Sequence, residues 1–491
     1  MVRASLPLLL MFVFLLGAAA TPQGLQSTRQ PVPPDELLGI DRRELGPLYD
    51  QAHADKYLKA HQLLEDFFVA SSAKDRQAIA AELASLGLDA NVLGRLVRVR
   101  LHWPALEAGV YYINERVGPH QVQYFVGVPR GYDRGRAVPL VIRLPGAHPF
   151  ITDPPPNEEQ VAELYTQWII DELRKHPDAA VLMPRLNLDE LWGPSYKGMN
   201  GVIQPLHHVA GRLNIDPARV YMTGHGMSGH ATWNLALHYP TYFAAINPMS
   251  GGASATWQRL RIMNLRNTPA VVWHDADDPL VKVEGSRSVV QAMKREKLTV
   301  DYEEGKTGQH APSEEVIERQ YAKMRSYVRP LYPRTVSLGS NRPDSLFNRN
   351  DWVQVYQMLT PGNDRRLGIV HGSGTMTFQQ NSYSITATLA GPNRIEVQAT
   401  NVESQRFYLN DQTIDFTKPV TVLINKRVRF EGMVKPSVEE MLKDQLFLGR
   451  GWRYFTAFVD VDFGEPTTRP TTAPTTRRGT IEYNGVLQPP R

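Results

Sequence analysis

The run Val220-Tyr221-Met222-Thr223-Gly224-His225-Gly226-Met227-Ser228-Gly229-His230-Ala231-Thr232-Trp233 decides the fold. Val220 to Thr223 is a short apolar stretch, Gly224, Gly226 and Gly229 follow at once, and Trp233, Ala236 and Leu237 then recur at helical spacing. An apolar strand that stops at a glycine cluster and passes straight into a helix implies a sharp turn between them. Asn214-Ile215-Asp216-Pro217-Ala218-Arg219 leads into this unit, and Leu237-His238-Tyr239-Pro240-Thr241-Tyr242-Phe243-Ala244-Ala245 leads out of it toward Gly251-Gly252.

A turn of this kind with the pattern Gly-x-Ser-x-Gly is a nucleophile elbow. Its strained backbone lifts the serine hydroxyl above the end of a sheet, and its glycines let strand and helix approach. Here the five positions read Gly224-His225-Gly226-Met227-Ser228, with glycine in the serine place and serine in the place of the last glycine. Taken with its flanks, with Gly131-Tyr132 and with the apolar run Pro139-Leu140-Val141-Ile142, this stretch resembles the secreted bacterial esterases of the α/β-hydrolase superfamily, in the polyhydroxybutyrate-depolymerase-like and prolyl-oligopeptidase-like branch. The resemblance covers roughly residues 109–328. It implies an α/β fold with a mostly parallel sheet covered by helices on both faces, and an ester, peptide or glycan as small-molecule ligand. The alternation of strand and helix patterns over the same residues supports that architecture independently.

The resemblance also implies a site. Asp278, in the turn after the apolar run Ala270-Val271-Val272-Trp273, stands where the family carries its triad acid, and His310 stands where it carries the base. Elbow, acid and histidine follow in the chain order of α/β-hydrolases. In such a triad the carboxylate fixes the imidazole tautomer, and the histidine takes and returns the serine proton. By position, the oxyanion amides are those of Ala147 and Met227, although Pro145 replaces the family histidine in that loop. With Gly226 at the apex, the leading expectation is a catalytically degenerate hydrolase.

Three alternatives stay open. Ser228 could serve as nucleophile, but it lies two residues past the apex in the first helical turn. A rotation of ~100° and a rise of ~1.5 Å per residue aim its hydroxyl elsewhere, and filling a slot between helix and sheet is the simpler role. A water activated by His310 could replace the serine. Finally, the chain could be a cell-envelope or glycan-binding interaction protein. His225, His310, Asp275, Asp277 and Asp278 match no specific metal-ligand spacing, so neither a metal nor another cofactor is expected.

The start of the chain has Arg3, an apolar run Leu6 to Leu16 and Ala18-Ala19-Ala20, the three parts of a secretory signal peptide cleaved after Ala20. The run is shorter than the ~20 apolar residues of a spanning helix, so a secreted or periplasmic protein without a stable membrane span is expected. The absence of cysteine excludes disulfides, thiolate ligands and a lipid-modified cysteine. A net charge of +4 on dispersed basic residues gives no basic face, so no nucleic-acid partner is expected.

With 491 residues, 42% of them apolar, the chain has room for two or three domains. We divide it into a signal peptide (1–20), a leader (21–35), a helical prefix (36–105) packed on the main domain, the hydrolase-like domain (106–330), a β-sandwich-like domain (331–463) and a disordered Thr/Pro tail (464–491). In the prefix, Tyr57, Leu58, Leu64, Phe67 and Phe68 recur at near-helical spacing, a second segment carries Ile79, Ala80, Leu83 and Leu86, Ser72 to Asp75 form an N-cap arrangement and Gly87 is a stop. In the β-sandwich-like domain, residues 384–389, 394–399, 406–409 and 420–424 read as strands.

Overall fold

The computed structural model describes residues 23–24, 31–117, 120–146, 148–150, 153–187, 192, 196–341, 348–359 and 382–462. Residues 1–20, read above as a signal peptide, and residues 464–491, read as a disordered tail, lie outside the described residues.

After the two-residue strand β1 (Gln23–Gly24), four helices form the prefix: α1 (Pro34–Leu45), α2 (Ala54–Val69), α3 (Ala73–Ser85) and α4 (Ala90–Leu96). Ser72 caps α3 by accepting from the Asp75 amide at 3.0 Å, and Gly87 beyond its end has φ of +66°. The alternating run at 110–128 forms two antiparallel strands, β2 (Gly109–Val117) and β3 (His120–Val128). Then follow β4 (Val138–Leu144), α5 (Glu158–Lys175), β5 (Ala180–Pro184), α6 (Tyr196–Ala210), β6 (Ile215–His225), α7 (Met227–His238), β7 (Ala245–Met249), α8 (Thr256–Arg259), β8 (Ala270–Asp275), α9 (Glu284–Arg295), β9 (Val300–Gly305) and α10 (Glu314–Arg325).

These strands make one sheet in the order β1-β2-β3-β5-β4-β6-β7-β8-β9, parallel from β5 to β9. This is an α/β-hydrolase-type sheet. Successive side chains of a strand point to opposite faces. Val141, Tyr221, Val271 and Trp273 accordingly pack with Tyr321 and Met324 of α10, whereas Leu140, Ile142, Val220 and Met222 cluster with Val202, Ile203 and Leu206 of α6 and Trp233 of α7. Burial on both faces explains why these strands read as continuous apolar runs.

The C-terminal region has two further sheets. One orders β10 (Thr335–Ser340), β13 (Tyr383–Gly391), β14 (Arg394–Thr400), β16 (Val420–Ile424) and β17 (Arg427–Gly432); the other orders β11 (Arg349–Asn350), β12 (Val353–Gln357), β15 (Ser404–Leu409) and β18 (Ala457–Asp462). Between β17 and β18 lies α11 (Val438–Leu448), which a strand-only reading of this region misses. Its signal was present as Ser437-Val438-Glu439-Glu440, a capping-box pattern, and Ser437 does cap the helix by accepting from the Glu440 amide at 3.3 Å.

The prefix packs on the hydrolase-type domain, as expected, through Glu36 to Arg134, Arg43 to the Gly135 carbonyl and Arg98 to Asn214 and the Ile215 carbonyl. It also packs where no contact was expected: Tyr57, Leu64, Phe67, Leu83 and Leu93 of α2, α3 and α4 share one core with Met441 and Leu442 of α11. The two large domains are joined by buried charge. Asp351 accepts from Arg329 at 2.7 Å and from Thr241 at 2.9 Å, and lies 3.4 Å from Arg453, all of these side chains being buried.

Candidate active site

The elbow forms where the sequence places it. Strand β6 ends at His225, α7 begins at Met227, and Gly226 between them has φ of 59° and ψ of −118°. Side chains rarely adopt this backbone, and a residue other than glycine held there costs about 1–3 kcal/mol. Gly224 answers a different need: a Cβ there would lie 2.3 Å from the Ser228 carbonyl oxygen, so the close approach of strand and helix requires its absence.

Asp278 and His310 are brought together. His310 Nδ1 donates to Asp278 Oδ2 at 2.7 Å, which places the ring proton on Nδ1 and leaves Nε2 as an acceptor. That Nε2 faces the elbow. A Cβ built on Gly226 would stand 2.9 Å from it, so the base lies directly over the place where a nucleophilic side chain would project.

The Asp278 side chain is buried, with Oδ1 accepting from the amides of Leu280 (2.8 Å) and Val281 (2.9 Å). Burial alone would raise its pKa, but the Val281 amide, His310 and the Leu280 amide together hold it below the usual carboxylate value. Behind it stands His274, fully buried, whose Nε2 donates to the Val281 carbonyl at 2.9 Å and lies 3.3 Å from Asp278 Oδ2. His274 Nδ1 is 2.7 Å from Ser286 Oγ, which donates to the Gly251 carbonyl at 3.0 Å. Sequence reasoning overlooked His274, although it lies at the end of β8, four residues before Asp278.

Asp275 acts as a clamp. Its carboxylate accepts from the amides of Asp277 (3.0 Å), Thr307 (2.7 Å) and Gly308 (3.0 Å) and from the Thr307 hydroxyl (2.7 Å). This fastens the loop that carries His310 to the end of β8. The same bonds offset its burial and keep the carboxyl below its usual pKa. The His310 carbonyl accepts from His225 Nε2 at 2.9 Å and from the Ser250 hydroxyl at 2.7 Å. Burial, aided by the charges of His310 and Arg143, lowers the pKa of His225. Ser250 holds a φ of +49°, and its part in fixing the histidine loop had no signal in the sequence beyond its place before Gly251.

Ser228 is fully buried and its hydroxyl donates to the Pro145 carbonyl at 2.7 Å, an oxygen that also accepts from Trp192 Nε1 at 2.8 Å. It ties α7 to the loop after β4 and makes no hydrogen bond to His310. Met227 opens α7, where a backbone N–H has no partner within its own helix. Ala147 lies outside the described residues.

Comparison with solved structures finds hydrolases over less than half of the chain. A thermostable esterase is 25% identical, over 45% of this chain and 64% of its own, with a TM-score of 0.37. This chain therefore spans less than two thirds of that esterase. An S-formylglutathione hydrolase from Staphylococcus aureus is 16% identical over 45% of this chain and 98% of its own, with a TM-score of 0.34. The dipeptidyl peptidase 4 of Porphyromonas gingivalis is 10% identical over 45% of this chain and 36% of its own, with a TM-score of 0.33. No family model and no curated protein matches the chain.

Proposed function

We propose that this is an exported α/β-hydrolase-fold protein that has lost its nucleophile at Gly226 and retains the acid and base of the site, holding a small ester, peptide or glycan ligand without turning it over. One observation carries the reading: His310, oriented by Asp278, aims Nε2 at a residue with no side chain. In this reading Asp278 and His310 are the surviving acid and base, the Met227 amide and the loop of Ala147 are the oxyanion donors, and Ser228 is a structural tie. A water held in the vacated space and activated by His310 is the second reading, favoured by the same exposed acceptor. Export rests on the N-terminal pattern, and N-terminal sequencing of the mature protein should begin at Thr21.

The test is p-nitrophenyl acetate hydrolysis by the wild type, Gly226→Ser, His310→Ala and the double variant. We expect a wild-type rate near background and a gain of about 10²-fold or more in Gly226→Ser that vanishes without His310, since triad members act as a unit. A residual rate from oxyanion donors and binding alone is compatible with this. Fast wild-type turnover that requires His310 would overturn degeneracy in favour of the activated water, or of a nucleophile elsewhere.

A further inference from the structure

A cavity of about 400 Å³ lies away from this site, among the end of α6, the segment after α4 and the end of α11. Arg212 precedes the first residue of β6 by three positions, so the cavity sits at the opposite end of that strand from Gly226. Its walls carry Arg100, His102, His207, His208, Arg212 and Arg450, and among the described residues no carboxylate lines it.

Two carboxylates stand behind these walls. Glu65 pairs with Arg450 at 3.0 Å and Glu115 with Arg212 at 2.6 Å. Arg450, which is 8% exposed, is otherwise occupied by the Val97 and Val99 carbonyls at 3.0 and 3.1 Å. Arg100 has no carboxylate within ion-pair distance among the described residues; its Nη2 donates to the Arg450 carbonyl at 3.0 Å. Three arginines on the walls stand against two carboxylates behind them, and Arg100 is in no ion pair among the described residues, which leaves an excess of positive charge around the cavity, the complement of an anion.

We propose that this cavity binds a small organic molecule through an oxyanion, a phosphate or carboxylate group that accepts from Arg100, Arg212 and His207. Guanidinium groups suit planar or tetrahedral oxyanions because their N–H donors lie in a fixed fork. The volume falls within the usual range for small-molecule pockets and exceeds what a lone inorganic ion would fill, so the anionic group is carried on a larger body. The proposal is independent of the hydrolase reading, since it uses none of the same residues.

Isothermal titration of the full chain with inorganic phosphate, glucose 6-phosphate and glucose tests it. We expect glucose 6-phosphate to bind, inorganic phosphate to compete with it, and glucose to give no signal. His207→Phe keeps the ring that packs edge-on against Tyr242 at 5.3 Å but removes the donor, and should weaken binding about tenfold. Glu115→Gln alters a half-exposed carboxylate and releases Arg212 from its partner, so it should strengthen binding by several-fold. No binding of either phosphate, binding of glucose alone, or phosphate affinities that ignore both substitutions would each overturn the proposal.

Discussion

The two ends of β6 differ in what they leave unsatisfied. At its carboxyl end, each oxygen of Asp275 and Asp278 accepts hydrogen bonds and His310 is fixed by both its ring and its carbonyl, while the apex residue has no side chain. Near its amino end, Arg100 Nε, Arg212 Nε and His207 Nε2 have no hydrogen-bond partner among the described residues. A buried polar group left unmatched costs about 1–3 kcal/mol. The first arrangement sustains itself through internal bonds and needs nothing bound to hold its geometry. The second gathers positive charge around an open cavity, which is what the proposed anion would answer.

The strongest way to break this contrast is Asp275→Ala. If the carboxylate is scaffold, losing it strands the Thr307, Gly308 and Asp277 donors and should cost about 3–5 kcal/mol in urea unfolding. A cost below about 1 kcal/mol would mean that the His310 loop is held by other contacts.

Acid titration probes the other end. Burial, with Arg100 beside His207 and Arg212 beside His208, lowers both imidazoles to about 4. Around them stand Glu115, Tyr124 and Tyr242. Between that value and the ordinary ~6.5 the unfolded chain binds more protons, so stability is full above about pH 6.5 and is lost as pH falls toward 4. The loss should be on the order of 2–3 kcal/mol per ring, with His207→Phe removing one share. Glucose 6-phosphate should reduce the loss, because a bound anion favours the charged rings. An acid limb unaffected by His207→Phe would remove that ring from the account.

At the elbow, Gly226→Ala and Gly226→Ser should each lose about 1–3 kcal/mol, because both put a Cβ at positive φ and close to His310 Nε2. Equal stability losses with activity in the serine variant alone would separate strain from chemistry. The smallest effect belongs to Ser228→Ala, about 1 kcal/mol for one hydrogen bond to Pro145. It should leave the His310-dependent turnover of Gly226→Ser intact, and abolition of that turnover would make Ser228 the reacting group.

The parts of this molecule that were legible in the sequence are those written in contiguous residues. The elbow is a local strand, turn and helix, and the alternation that follows sets the parallel sheet. Asp278 and His310 were placed by the family resemblance, not by any local pattern, and the structure puts them 2.7 Å apart. His274, Ser250 and the Asp275 clamp are contacts between strand ends, which no local pattern records. The cationic cavity draws on residues near 100, 210 and 450, so it becomes visible only once the chain is folded. Helix α11 was legible from its cap but was overlooked in a region rich in strands.

The shared core of the prefix and α11 bears on the order of assembly in the cell. Phe67 and Leu83 are made early, yet they are covered by Met441 and Leu442, which come from near the other end of the chain. At ~5–20 residues per second, an apolar face of the nascent chain stays open for tens of seconds while the sheet between them is synthesised. The core of the prefix is thus completed only when residues made roughly 350 positions later arrive.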